Sequence, residues 1–376
     1  MTTKESNWFI KSIFPTLHAL VYLLLFWLVS SFFFRDALRL SWWSSGGFVI
    51  GLLVGFGLQW IIRRNSWFLI QSRKITTYII ITLLEFAFGL LVIGPTIWVL
   101  NRFVPNSNIH SICCETPKDY GAAVFENIQL RSPDGATIAG WYVAPTQQTG
   151  DVIILIHGNG YDRRGTDFQT RALIAAGYGV LLYDLRDHGE SVGRLNAFNR
   201  MQAYASDLQI VINYLKQKPE INPRHIGVVG ISLGSFATLN STTETLNSFR
   251  ALWLDGLVFE NFGALLPPRT LREAAKYVFD TQTRNFAKWY YPDPIAPPTK
   301  LLREIIPTIT QPEVMIVASG LDDRERSNNE ILLPLMGGNK EMWFIKNAWH
   351  IGGRFEVPDE YRERMLAFFS KAFASP

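Results

Sequence analysis

Residues 226–239 read Ile226-Gly227-Val228-Val229-Gly230-Ile231-Ser232-Leu233-Gly234-Ser235-Phe236-Ala237-Thr238-Leu239. The stretch opens as a short β-rich run and closes as an apolar helical one, with Gly230-x-Ser232-x-Gly234 at the join. A serine there sits in a strained strand-to-helix turn with its hydroxyl exposed, and glycines on either side let the chain pass through so tight a bend. The helix that follows aims backbone N–H groups and the positive end of its dipole at any negative charge developing beside the serine. The bland reading is a serine in an ordinary glycine turn. The strand before the turn and the helix after it argue against that reading.

Working outward, β-rich runs recur on both sides of this turn. Upstream, Phe125–Arg131 and Thr137–Val143 flank Pro133-Asp134-Gly135 and predict a hairpin. Val152–Ile156 and Gly179–Tyr183 follow; downstream come Leu252–Leu254, Val314–Val317 and Trp343–Ile345. Between them, Met201, Tyr204, Leu208, Val211, Ile212 and Leu215 recur at helical spacing. So do Tyr361, Met365, Phe368, Phe369 and Phe373 near the end of the chain. These stripes are core faces. An antiparallel start followed by strand–helix alternation predicts an α/β domain with a mostly parallel sheet and helices on both faces. Residues 257–305 interrupt the alternation and are rich in aromatics and prolines, among them Phe259, Phe262, Tyr277, Trp289, Pro297 and Pro298. This predicts a cap folded over the site.

A serine needs a base to attack a carbonyl at neutral pH. Of the six histidines, His18 lies in an apolar stretch, His110 in a linker, and His225 at the wrong end of the strand leading to Ser232. His157 and His188 lie in loops able to reach the site. Elbows of this kind take their partners in the chain order nucleophile, acid, histidine. His350 alone lies downstream of Ser232. The acid is expected in Ser319-Gly320-Leu321-Asp322-Asp323, directly after a β-run. Gly-x-x-Asp spacing favours Asp323, with Asp322 as the alternative and Asp255 as the remaining one. The backbone N–H groups of Leu233 and Asn159 are the expected oxyanion donors, with Gly160 less favoured, because His157-Gly158-Asn159-Gly160 directly follows a buried strand. His157 itself reads as a structural histidine.

The N-terminal region differs in kind. Residues 16–34 and 42–62 carry no charged residue, and residues 75–100 carry only Glu85. Each is long enough to cross about 30 Å of hydrocarbon as a helix. Residues 1–105 hold nine Lys/Arg against three Asp/Glu, whereas the rest holds 27 against 29. The basic excess therefore flanks apolar stretches, which excludes a nucleic-acid-binding face as its explanation. Lys4, Lys11, Arg63, Arg64, Arg73 and Lys74 on one side outnumber Arg35, Arg39 and Arg102 on the other. With three spans, the N-terminus is expected in the cytoplasm and the C-terminal domain on the non-cytoplasmic side. The expected organisation is a membrane region over 1–104, a linker over 105–120 and a catalytic domain over 121–376 with its cap at 257–305. The chain's 48% hydrophobic content excludes disorder as its main state. Two cysteines, Cys113 and Cys114, exclude a disulfide scaffold and a four-cysteine zinc site, and read as two unmodified thiols.

With these motifs together, residues 120–374 resemble the α/β-hydrolase superfamily. His157-Gly158-Asn159-Gly160, Asp184-Leu185-Arg186-Asp187-His188-Gly189-Glu190-Ser191 and the G-x-S-x-G turn resemble its serine-aminopeptidase-like branch. That branch includes monoacylglycerol lipases, lysophospholipases, acyl-protein thioesterases and Bem46-like membrane-tethered hydrolases. Three departures stand out. Asp187 replaces the glycine usual in the Arg-Gly-His-Gly loop. The acid loop, Asp322-Asp323-Arg324-Glu325-Arg326, lacks the usual Val-Pro. Trp349 precedes His350 where a small residue is common.

The expected activity is that of a membrane-anchored serine hydrolase cleaving esters or thioesters of lipid or acylated substrates. Ser232, Asp323 and His350 form the expected triad, and an acyl-enzyme the intermediate. No metal or organic cofactor and no nucleic-acid partner is expected. The competing readings are a serine peptidase of the same superfamily, disfavoured by the absence of a His-Gly-Gly-Pro-Gly loop, and a catalytically silent membrane binding module.

Overall fold

The computed structural model describes residues 114–193, 195, 199–258, 268, 271–290 and 300–374, with Leu53 and Ala87 singly. The chain divides into two compact units, residues 1–100 with 265–292, and residues 101–264 with 293–376. In the first unit the described segment is helix Leu271–Tyr290, which falls in the expected cap. The three apolar stretches at 16–34, 42–62 and 75–100 lie outside the described residues, apart from Leu53 and Ala87. Among the described residues no helix is long and apolar enough to cross a membrane. Cys114 is disulfide-bonded, which corrects the reading of two unmodified thiols; Cys113, the chain's other cysteine, lies outside the described residues.

The second unit is built on one eight-stranded sheet of order β1-β2-β4-β3-β5-β6-β7-β8. Strands β1 (Glu126–Arg131) and β2 (Thr137–Val143) form the expected hairpin around Pro133-Asp134-Gly135. Pro133 and Gly135 suit the tight reversal, and Gly135 takes a φ of +87°. β2 also pairs antiparallel with β4 (Gly179–Tyr183). All later pairings are parallel, through β3 (Val152–Ile156), β5 (Ile226–Ile231), β6 (Ala251–Asp255), β7 (Glu313–Ser319) and β8 (Lys340–Ile345). Every residue of β3, β4, β5 and β6 is buried, so these strands read as continuous apolar runs.

Alternation along the strands divides the core into two layers. Val152, Ile154 and Ile156 face one side with Leu181 and Tyr183, against the stripe Met201, Tyr204, Leu208, Val211 and Leu215 of helix α2 (Arg200–Leu215). Ile153 and Leu155 face the other with Val180 and Leu182. There they join Leu173 of α1 (Asp167–Ala175) and Tyr361, Met365, Phe369 and Phe373 of the C-terminal helix Pro358–Ala374. Trp253 on β6 is fully buried in that layer, with Tyr361, Phe368 and Trp343 packed edge-on around it. Burying an aromatic of this size contributes about 2–3 kcal/mol by area alone. Parallel pairing leaves the C-terminal ends of β3 to β8, and the loops that follow them, at one edge.

Candidate active site

Ser232 stands between β5 and helix α3 (Leu233–Leu239), with φ +49° and ψ −105°. Such a backbone costs on the order of 1–3 kcal/mol in a non-glycine residue and needs its surroundings to hold it. The surroundings do so. Ser232 N–H donates to the Asp255 carbonyl at 2.7 Å, and Phe236 N–H donates to the Ser232 carbonyl at 3.2 Å. A Cβ on Gly230 would lie 2.8 Å from Ser235 N, and one on Gly234 only 2.1 Å from Ile156 O. The glycines of the motif are thus needed because α3 folds back over β5 and presses on β3. Asp187 and Ile351 are the other non-glycine residues with positive φ among the described ones, and both lie in loops at this same edge. Asp187 takes φ +63°, which explains why a glycine suits that position; aspartate is among the few side chains that tolerate it.

His350 follows β8, and its Nε2 lies 2.9 Å from Ser232 Oγ. Its Nδ1 lies 2.5 Å from Glu325 Oε1. With the proton assigned to Nδ1, the imidazole donates to the carboxylate and accepts from the serine hydroxyl. Ser232 and His350, both expected from sequence, are therefore brought together.

The acid beside the imidazole is Glu325, which corrects the expectation of Asp323. Asp323 is the first residue of helix α4 (Asp323–Leu332); its side chain is 70% exposed and pairs with Arg326. Asp322 is the helix N-cap: its Oδ1 accepts from Arg324 N at 2.9 Å and Glu325 N at 3.2 Å. Its hydrogen bonds and ion pair with Arg324 hold its carboxyl below the usual range. Neither aspartate bonds His350. One turn into the helix, Glu325 turns back over the sheet edge, fully buried, and its Oε2 accepts from Ser319 N at 2.7 Å. The first turn of a helix favours a carboxylate there. The signal was present in the sequence: Asp322-x-x-Glu325 is the spacing of an N-cap followed by its third-position glutamate.

Asp255, the third candidate acid, ends β6 and is buried. Its Oδ2 accepts from Tyr361 Oη–H at 2.8 Å, and Tyr361 Oη in turn accepts from Trp253 Nε1 at 2.9 Å. Its backbone carbonyl receives Ser232 N–H and lies 2.9 Å from Ser235 Oγ. Asp255 thus splints the serine turn from behind. Burial pushes its carboxyl up to about 7, against the opposing pull of the Tyr361 hydrogen bond. Between about pH 4 and pH 7 the folded chain keeps a proton that the unfolded chain has released. Stability contributed by this group is therefore full below pH 4 and falls as pH rises to 7, by on the order of 4 kcal/mol. Asp255→Asn is expected to lose less of its thermal unfolding midpoint than wild type between pH 4.5 and pH 8. Equal losses in the two proteins would show that Asp255 is ionised throughout.

The loop after β3 reaches the serine: a Cβ on Gly158 would lie 3.6 Å from Ser232 Cβ. Asn159 follows in that loop, and Leu233 is the first residue of α3. Arg163 anchors the loop from behind, its N, Nε and Nη2 donating to the buried carboxylate of Asp184 at 2.7, 3.1 and 2.8 Å. His157 is wholly buried, with Nδ1 2.8 Å from Gly158 O and Nε2 accepting Leu185 N–H at 3.0 Å. Burial, helped by neighbouring His188, lowers it to about 4, so it stays neutral and structural. His225 pairs with Asp151 at 2.7 Å, next to the N-terminal end of β5.

The sequence model of the serine aminopeptidase S33 family matches residues 147–291, a span that holds Ser232 and ends before Glu325 and His350. The lysophosphatidylserine lipase ABHD12 of Bos taurus is 28% identical over 203 residues, 48% of this chain and 48% of that protein. An uncharacterized peptidase, YuxL, of Bacillus subtilis is 30% identical over 144 residues, 36% of this chain and 22% of that one. The chain thus spans under half the length of these curated relatives. The Pyrococcus furiosus esterase Pf2001 superposes with a TM-score of 0.51 at 20% identity, over 70% of this chain and 96% of that one. The likeness shows an α/β-hydrolase fold, as the strand order and the serine turn led one to expect.

Proposed function

We propose that the protein is a serine hydrolase that cleaves carboxylic esters or thioesters through an acyl-enzyme. The observation that carries this reading is the relay from Ser232 Oγ to His350 Nε2 at 2.9 Å and from His350 Nδ1 to Glu325. Ser232 attacks the acyl carbonyl as His350 takes its proton. Glu325, buried beside His350 Nδ1, holds the imidazole in the Nδ1–H tautomer and stabilises the imidazolium. The N–H groups of Leu233 and Asn159 receive the oxyanion. His350 then protonates the leaving alcohol or thiol. Water, deprotonated by the same imidazole, releases the acid and restores the serine. The chain's own residues complete this cycle.

The apolar stretches at 16–34, 42–62 and 75–100 support a membrane anchor, with the catalytic domain on the non-cytoplasmic side and residues 257–305 as its cap. Such an anchor, with the lipase relative, favours acyl lipids as substrates. Fluorophosphonate labelling of membrane fractions tests the chemistry. Wild type is expected to label, and Ser232→Ala and His350→Ala to lose it. Equal labelling of Ser232→Ala would overturn the assignment. The serine peptidase reading, favoured by the family match, uses the same serine. Turnover of aminoacyl anilides above that of p-nitrophenyl esters would select it.

A further inference from the structure

Four exposed large apolar side chains of the catalytic unit lie on segments that are linked to the one carrying His350. Trp349 is 65% exposed, Phe355 72%, Tyr161 45% and Leu321 41%. They are linked through the backbone. Leu321 N–H donates to Ala348 O at 3.0 Å, and Phe355 N–H donates to Gly352 O at 2.9 Å, at the start of the short helix Gly353–Glu356 that follows His350. Arg354 lies over the Phe355 ring at 4.7 Å and donates to Gly165 O at 2.9 Å. Gly165 in turn packs on Tyr161, where a Cβ would stand 2.8 Å from Tyr161 Cβ. A monomeric domain rarely leaves such side chains together in water without a partner for them.

The path of the chain says what that partner is. Residues 101–113 separate the last apolar stretch from the described unit and span at most about 45 Å when fully extended. The unit's first described residues are held on helix α1, where Arg171 pairs with Glu115 at 3.2 Å and covers Tyr120. One helical turn earlier on α1, Asp167 faces Arg354 at 3.8 Å, beside Phe355. The first described residues of this unit therefore lie next to the apolar rim. The arginines beside Leu321 come with acidic partners, Arg324 with Asp322 and Arg326 with Asp323, so their charge is largely offset there. Tryptophan and phenylalanine are the side chains that settle at a membrane–water interface.

We infer that Tyr161, Leu321, Trp349 and Phe355 form a bilayer-docking surface. It sets the mouth of the Ser232–His350 site against the membrane that anchors the chain. Docking there lets an acyl chain pass from lipid to enzyme without crossing water, where each exposed methylene costs about 0.8 kcal/mol. The inference rests on the membrane anchor proposed above, and on the ester-hydrolase reading only for this consequence.

The test uses the full chain reconstituted in phosphatidylcholine vesicles. Phe355→Ser with Leu321→Ser is expected to keep turnover of water-soluble p-nitrophenyl acetate within about twofold. It is expected to lose tenfold or more on a long-chain acyl glycerol carried in the same vesicles, and Phe355→Trp to retain it. Independently, an environment-sensitive fluorophore on Phe355→Cys is expected to be quenched by spin-labelled lipid. Full activity of the double variant on vesicle lipid, with no quenching, overturns the docking surface. A fluorophore shielded from water yet untouched by lipid quenchers also overturns it, since a second copy or another protein then covers the rim. A wild type that turns over neither ester sinks the hydrolase reading alone, because lipid quenching still reports docking.

Discussion

Ser232→Ala lowers kcat/KM for p-nitrophenyl esters by roughly 10⁴–10⁶-fold and leaves the fold in place. The hydroxyl's partner in the structure is His350 Nε2, so its removal strands no buried donor. The bonds that hold the strained turn are backbone ones, from Ser232 N to Asp255 O and from Phe236 N to Ser232 O, and alanine keeps both. The unfolding midpoint should therefore move little while turnover collapses. Measuring the two together separates loss of the nucleophile from loss of the fold. Turnover within tenfold of wild type, in a protein of unchanged stability, would mean that another group attacks the substrate.

Glu325→Gln lowers turnover by about 10³–10⁴-fold, whereas Asp323→Asn stays within about twofold of wild type. The glutamine keeps the size of the side chain and an acceptor for Ser319 N–H. It removes the charge that stabilises the imidazolium, and its amide can present a donor to Nδ1, which favours the wrong tautomer. Asp323 is mostly in water and pairs with Arg326, so its charge is screened from the site. Kinetics of the two variants on one ester, at one pH, decide between the carboxylates. A loss at Asp323→Asn equal to that at Glu325→Gln would return the acid to the position that the Gly-x-x-Asp spacing suggested.

That pair of carboxylates marks where reading the sequence stopped. The inner strands β3 to β6 were legible because burial on both faces leaves unbroken apolar runs, and the hairpin because Pro133 and Gly135 punctuate it. The inner stripes of α2 and of the C-terminal helix were legible because a helix repeats its buried face every three or four residues. Ser232 stood out because a sharp strand-to-helix turn accepts little but glycine around it, a constraint written within five residues. His350 followed by elimination and chain order. All of these are local patterns or counts along the chain.

The orienting carboxylate is of another kind. Three acids lie within four residues, Asp322, Asp323 and Glu325, and spacing alone favoured the wrong one. What separates them is that Asp322 caps a helix, which turns Asp323 to solvent and carries Glu325 back over β7 to Ser319 N and His350. Asp255 is similar. Its sequence position made it a candidate acid, but Tyr361, 106 positions further on, takes its side chain, and burial keeps its proton to about pH 7. The β-runs, the turns and the serine at the strand-to-helix turn depend on neighbours in sequence, so the amino-acid sequence by itself determined them. Which carboxylate reaches the imidazole, and which keeps a proton, depends on neighbours in space and on the water they exclude, and only the tertiary structure decided it.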